Sequence, residues 1–237
     1  MAESLPAPAG LSAPSASSAS PGPSGAPGSS AARGRHAPPP EVRLPRQRER
    51  LLRAAALEFA QRGYTGASSE SISRRAAMSK ATFYEHFANK EECMLALFDL
   101  ATPVIQAAMA RAARSAPTGD ALERMSAGTR AFLTALSEHP EFAQTLLVEI
   151  IGAGPRAAQR RDQLIQAFAD VLDAENVAAA RRGLIGRFAS PHDAFAIVGA
   201  ITELVSRQVR LGIPAHALDL APVIDRLIGG LLDSTAS

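Results

Sequence analysis

From about residue 46 onward, apolar residues recur along this chain at steps of three and four, never with the two-residue alternation of a strand. In RQRERLLRAAALEFAQR, Leu52, Ala55, Ala56, Phe59 and Ala60 form one helical stripe. Gly63 follows, the residue type that takes a left-handed conformation just past a helix end. Ser68 or Ser69 can cap a short second helix over SESISRRA, whose one firmly apolar side chain is Ile72. Ser79 caps a third, KATFYEHF, in which Phe83 and Phe87 stand four apart and share a buried face. Asn89 caps a fourth that starts at Lys90 and runs to about Ala113. Turns of only a few residues separate the first three.

The helical period continues through the second half. It predicts helices over Asp120 to Ser137, Glu141 to Ile151, Arg156 to about Ala174, His192 to Leu211 and Leu218 to Leu232. Pro140, Pro155, Pro191 and Pro214 fall at or near their starts, where a missing N–H costs nothing. Asn176 to Ser190 shows no clear period. The helix from His192 carries two adjacent apolar stripes, one through Ala194, Ile197, Ile201, Leu204 and Leu211, the other through Phe195, Val198, Thr202, Val205 and Val209. Two stripes need two partners. One is its own domain; the other is either a neighbouring element of the same subunit or the equivalent helix of a second copy. In the second case the last helix joins through Ile224, Leu227, Ile228 and Leu231, giving a four-helix interface.

Joined by Ala76 to Ser79, the second and third helices have the spacing of a helix-turn-helix, whose later helix enters the DNA major groove. Ile72, Met78, Phe83 and Phe87 anchor it, while Lys80, Ala81, Thr82, Tyr84 and His86 face outward. Over residues 46 to about 100 the chain resembles the DNA-binding domain of the tetracycline-repressor (TetR) family. The resemblance runs through AAALEFAQRGY, then Ser68 and Ile72, then MSKATFYEHFANKEE, in the family's order and spacing. Two positions depart from it. Ala77 stands in the turn where the family usually has glycine, and a left-handed conformation there costs alanine on the order of 1 kcal/mol. Glu58 replaces a frequent leucine, and Leu57 is expected to take over some of its packing.

The resemblance implies a division of labour. Tyr84 and Lys90 would hold phosphates, Lys90 with the amides at the start of the fourth helix, and Ser69 would do likewise at the start of the second. Lys80, Thr82 and His86 would reach the groove or its rim, and Ala81 would allow close approach to the bases. Arg46 is the foremost of a run with Arg48, Arg50 and Arg53. With Arg43 it forms either part of a solvated helix face or a flexible arm for the minor groove. Bland readings stand beside these: packing for Tyr84, and an ordinary surface position for His86.

Composition sharpens the picture. Of the first 32 residues, 28 are Ala, Pro, Ser or Gly, without a basic start or an apolar segment, so residues 1–42 read as a disordered tail rather than a signal peptide. Residues 46 to 92 carry nine Lys and Arg against six acids, and residues 93 to 237 thirteen against fifteen, so the basic part is the one expected to meet an anion. Cys93 is the sole cysteine, which excludes an internal disulfide and suits a reducing cytoplasm. The five histidines show no metal-ligand spacing, and there is no phosphate loop or nucleophile elbow. Neither catalysis nor a metal or cofactor is expected, and no run of eighteen apolar residues suggests a membrane span.

The chain therefore reads as all-α: a tail over 1–42, a DNA-binding domain over 43–103 with its helix-turn-helix at about 68–87, and a helical domain over 104–237. The second domain is expected to bind a small-molecule effector and to form a homodimer through the last two helices. In the family a cavity between the middle helices binds an inducer; Phe132, Phe142, Leu146, Glu149 and Phe168 are the candidate lining here. Glu149, inside LLVEIIG, is either a pocket acid or a partner for Arg156, Arg160 or solvent. The function expected is a ligand-responsive repressor on a palindromic double-stranded operator. The rival is a helical protein-interaction adaptor with a degenerate reading head.

Overall fold

The computed structural model describes residues 40–116 and 120–233, and among these it is helical with no strand. The expected tail lies outside the described residues as far as residue 39. The helices are α1 (Pro40–Gly66), α2 (Ser69–Arg75), α3 (Lys80–His86), α4 (Lys90–Ser115), α5 (Ala121–Glu138), α6 (Pro140–Leu147), α7 (Pro155–Arg181), α8 (Pro191–Leu211) and α9 (Ala221–Asp233). Short 3-10 turns at Glu149–Gly152 and Ala217–Leu220 precede α7 and α9. Ser68, Ser79, Asn89, Asp120 and Ser190 each accept a backbone N–H from the first turn they precede, a contribution of about 1 kcal/mol apiece.

Three boundaries differ from the periodicity. α1 begins at Pro40, so Arg43 and Arg46 lie on a helix rather than in an arm. Pro45 forfeits one bond to the carbonyl four residues earlier, but every side chain from Glu41 to Arg46 is exposed and water can serve that carbonyl. α6 stops at Leu147 and tightens into the 3-10 turn, which brings Glu149 around toward α1. α7 continues past Ala174 to Arg181 because Asn176, fully buried, ties its last turns to the following loop. Its amide donates to the Gly186 carbonyl at 3.0 Å and accepts from the Phe188 N–H at 3.0 Å.

Two apolar cores result. The first joins Leu52, Phe59, Ile72, Phe83, Met94 and Phe98, but Leu146, Ile150, Ala153 and Ala157 of the second half complete it. Cys93 is buried here, which pushes its thiol up to about 12. The second core gathers Leu133, Leu136, Ile197, Val205, Ile224 and Ile228 from α5, α8 and α9. α4 links the two. By length and composition it is apolar enough to cross a bilayer, with a mean hydropathy of 1.6 over eighteen residues. Its first turns, Cys93 to Phe98, are core, whereas Val104, Ile105, Ala108 and Met109 beyond Pro103 are half-buried.

The last two helices show which apolar stripes face inward. On α8 the buried side is Ala194, Ile197, Val205 and Ser206, crossing from one predicted stripe to the other, while Phe195 is exposed. Ile224 and Ile228, expected at a subunit interface, are fully packed within the chain's own core against α5 and α8. Val223 is exposed, and half-buried Leu227 packs at the edge of the same core.

Candidate nucleic-acid interface

α2 and α3 have seven residues each, too few to be stable alone in water. Tertiary anchors hold them: Ile72 and Phe83 are fully buried and Phe87 nearly so, the two rings 5.4 Å apart between centroids. Burying each ring contributes roughly 1.5–3 kcal/mol. Between the helices the Ala77 N–H donates to the Arg74 carbonyl at 3.0 Å and the Met78 N–H to the Ser73 carbonyl at 2.9 Å. Arg50 reaches from α1 to donate to the Ala76 carbonyl at 2.7 Å. Ala77 has φ 52°, the one left-handed non-glycine among the described residues.

With Phe83 turned in, α3 presents Lys80, Ala81 and Tyr84 to solvent, Tyr84 50% exposed. The Lys80 ammonium lies 6.0 Å from the Tyr84 ring centroid. Thr82 is half-buried, its hydroxyl sharing a 3.0 Å hydrogen bond with that of Ser79. A surface cleft of ≈ 290 Å³ brings Ser69, Lys80, Tyr84 and Lys90 together, with Ser68 and Glu70 on its wall. Arg46 stands apart on α1, exposed. Of arginines 46, 48, 50 and 53 it alone has no partner among the described residues, since Arg48 covers the Phe87 ring at 5.1 Å and Arg53 pairs with Glu49 at 2.8 Å.

Two expected contacts are placed differently. The Lys90 ammonium turns away from solvent and donates to the carbonyls of Tyr64 at 2.7 Å and Ala67 at 3.1 Å, 4.3 Å from the Tyr64 ring centroid. It closes the frayed end of α1, and burial lowers its pKa. His86 leans on Phe87, ring centroids 6.2 Å apart, with Nε2 covered and unbonded. Burial lowers its pKa, Arg48 adds to the effect and Glu85 opposes it.

Glu58 and Leu57 reverse the expected packing. Leu57 is exposed, and Glu58 is buried against Arg75, whose Nε donates at 2.6 Å, with Arg62 3.1 Å from the other oxygen. Burial works against the Glu58 charge, but hydrogen bonds from Arg75 and Ser71 and the charges of Arg75 and Arg62 outweigh it. The carboxyl is held below its usual range.

Glu149 is neither a partner of Arg156 nor of Arg160, which pair with Glu91 and Glu92 and with Asp99 of α4. Its Oε2 accepts the Tyr64 N–H at 2.8 Å and its Oε1 the Gln144 amide at 2.9 Å. Gly63, at φ 71° and ψ 163°, breaks the helical ladder and leaves the Tyr64 N–H without its ordinary acceptor. A Cβ on Gly63 would come within 3.3 Å of the Glu149 carboxylate. An orphan donor after a predicted left-handed glycine was the available signal for this contact. The Thr145 hydroxyl adds a second link by donating to the Ala56 carbonyl at 3.1 Å.

The candidate pocket residues divide. Phe142 and Leu146 pack on the first core, beside Glu149 at the seam with α1. Phe132 and Phe168 face each other between α5 and α7, ring centroids 6.5 Å apart.

A short helix with a buried anchor, presenting basic and aromatic side chains beside a two-helix turn on an all-helical body, has the form of a helix-turn-helix reading head. Residues 51–97 match the family profile described as bacterial regulatory proteins, tetR family. The transcriptional activator FasR of Mycolicibacterium smegmatis is 35% identical over 109 residues, 45% of this chain and 48% of its own, so the match spans about half of that relative. The fold matches the fatty acid degradation regulator FadR of Bacillus halodurans, with a TM-score of 0.70 at 19% identity over 78% of this chain and 96% of that one. It also matches the transcriptional regulator FadR of Bacillus subtilis, solved in complex with stearoyl-CoA, with a TM-score of 0.67 at 18% identity over 76% and 96% of the two chains. Over residues 51–97 the chain is thus similar to the tetR family of bacterial regulatory proteins, and its helical body shares the fold of the two FadR regulators.

Proposed function

We propose that the protein is a ligand-responsive regulator that acts as a homodimer and represses from a palindromic operator. The observation that carries this reading is the outward face of α3, where Lys80, Ala81 and Tyr84 project beside Thr82 from a helix fixed by Phe83. In this assignment Tyr84, Ser69 and Arg46 meet phosphates and position the head, while Lys80, Thr82 and Ala81 meet base edges. Lys90 and His86 act mainly by holding the head's shape. Two such heads, related by a two-fold axis, would address half-sites one helical turn of DNA or more apart. The outer sides of α8 and α9 supply the dimer contact. The same reading places the protein in the cytoplasm, without catalytic activity and without a membrane.

The effector assigned is a long-chain acyl-CoA or a molecule built like one. Two things support it: the fold shared with a regulator solved with stearoyl-CoA, and the half-buried apolar second half of α4 packed along α5. A ligand switches the protein only by binding the DNA-incompetent geometry more tightly. The seam at Glu149 and Tyr64 offers a short route from the body to the head.

Selection of bound fragments from genomic DNA, followed by titration of the recovered operator at several salt concentrations, tests the reading. Expected is binding that weakens steeply with salt yet keeps its sequence preference. Absence of any complex at low salt overturns it and favours the adaptor. Because the FasR relative is named an activator, a promoter fusion decides the sign of regulation, repression being expected.

A further inference from the structure

The inward arc of α7 runs through Ala157, Arg161, Ile165, Phe168, Leu172 and Asn176, at steps of four and three. Two of these positions are polar. Asn176 has both its amide groups satisfied by the loop that follows. Arg161 does not: its Nε is buried with no hydrogen-bond partner. Among the described residues its one ionic neighbour is Asp162, the next residue on the same helix, 3.9 Å away and 76% exposed. The acids of α4 that face α7 are engaged by the neighbouring arginines, Glu91 and Glu92 by Arg156 and Asp99 by Arg160.

A guanidinium cannot lose its proton in a protein, so a poorly partnered one on an inner face is costly until an anion meets it. Its side chain is 26% exposed, which leaves it reachable from solvent. Seven residues further along α7, about 10 Å at 1.5 Å per residue, Phe168 meets Phe132 of α5, with half-buried Leu164 and Leu172 on either side. A cation at one end of an apolar strip matches a molecule with an anion at one end of an apolar tail.

We infer that Arg161 receives the anionic end of the effector, its acyl tail lying along α7 toward Phe132 and Phe168. This rests on the effector reading above and assigns its charged contact. The anion is either the carboxylate of a free fatty acid or a phosphate of an acyl-CoA; the guanidinium fork suits both.

Calorimetric titration of the full chain and of Arg161→Met and Arg161→Lys with stearate, stearoyl-CoA and neutral octadecanol tests the assignment. For the anion that is the natural ligand, Arg161→Met weakens binding by about tenfold or more and Arg161→Lys restores most of it. Octadecanol binds all three proteins alike. Whichever anion shows the loss names the source. Equal affinity of wild type and Arg161→Met for both anions overturns the assignment, as does a wild type that binds neither. A ligand-free melting temperature no lower than that of the wild type, with an unchanged circular dichroism spectrum, in Arg161→Lys and Arg161→Met shows that the fold is intact; Arg161→Gln replaces the methionine variant if that one does not fold. The titration needs no DNA, so failure to bind an operator refutes the regulator reading separately.

Discussion

At Ala77 a methyl group sits where the backbone has φ 52°, in the turn that sets the angle between α2 and α3. The strain persists because Arg50 and two backbone hydrogen bonds over-determine the turn. Ala77→Gly is expected to raise stability by up to about 1 kcal/mol, the relief of strain being partly offset by the freer unfolded chain; equilibrium denaturation measures it. Glu58 is the second such residue. Its pKa is lowered in the folded state, so its stabilisation is complete above the unfolded value and is lost as pH falls through the folded one. Glu58→Gln leaves Arg75 short of its partner and should cost about 1–3 kcal/mol at pH 7. Its stability should also depend less on pH below about 4.5 than that of the wild type, as urea melts across that range would show.

Between elements, the decisive contacts converge on Tyr64. Its N–H goes to Glu149 of the 3-10 turn, and its carbonyl and ring to Lys90 of α4. One residue at the kinked end of α1 is thus held from both halves of the chain. Glu149→Ala is expected to cost about 1–3 kcal/mol and to speed hydrogen exchange at the Tyr64 amide in particular. An unchanged exchange rate at Tyr64 would mean that this bond is not sustained in solution. The Lys90 geometry also separates two roles that sequence reasoning merged. Lys90→Ala should lower the melting temperature as well as operator affinity, whereas Tyr84→Ala, at an exposed position, should lower affinity alone and equally for matched and scrambled operators.

For the whole molecule, the homodimer proposed above draws its contact face from what α8 and α9 do not spend on their own core. Ile224 and Ile228 are spent; Phe195 and Val223 are 42% and 41% exposed. The double variant Phe195→Glu, Val223→Glu is expected to sediment as a folded monomer and to lose most of its affinity for a two-half-site operator, because each head then binds without its tethered partner. A dimer that survives this change would place the interface elsewhere.

Period, caps and punctuation made the helical class and most element starts legible along the chain, since a 3.6-residue repeat and a Ser, Asn or Asp cap are local properties of consecutive residues. The same locality let Phe83 and Phe87 announce which side of α3 is buried and which is free. Which of two adjacent stripes on α8 turns inward, and that Ile224 and Ile228 do so on α9, depended on neighbours far away in sequence. So did the fates of Lys90, Glu58 and Glu149, whose charges found partners 26, 17 and 85 residues distant. A charged side chain is indifferent to its neighbours in the chain; the desolvation and hydrogen bonds that define its role exist after the helices have packed.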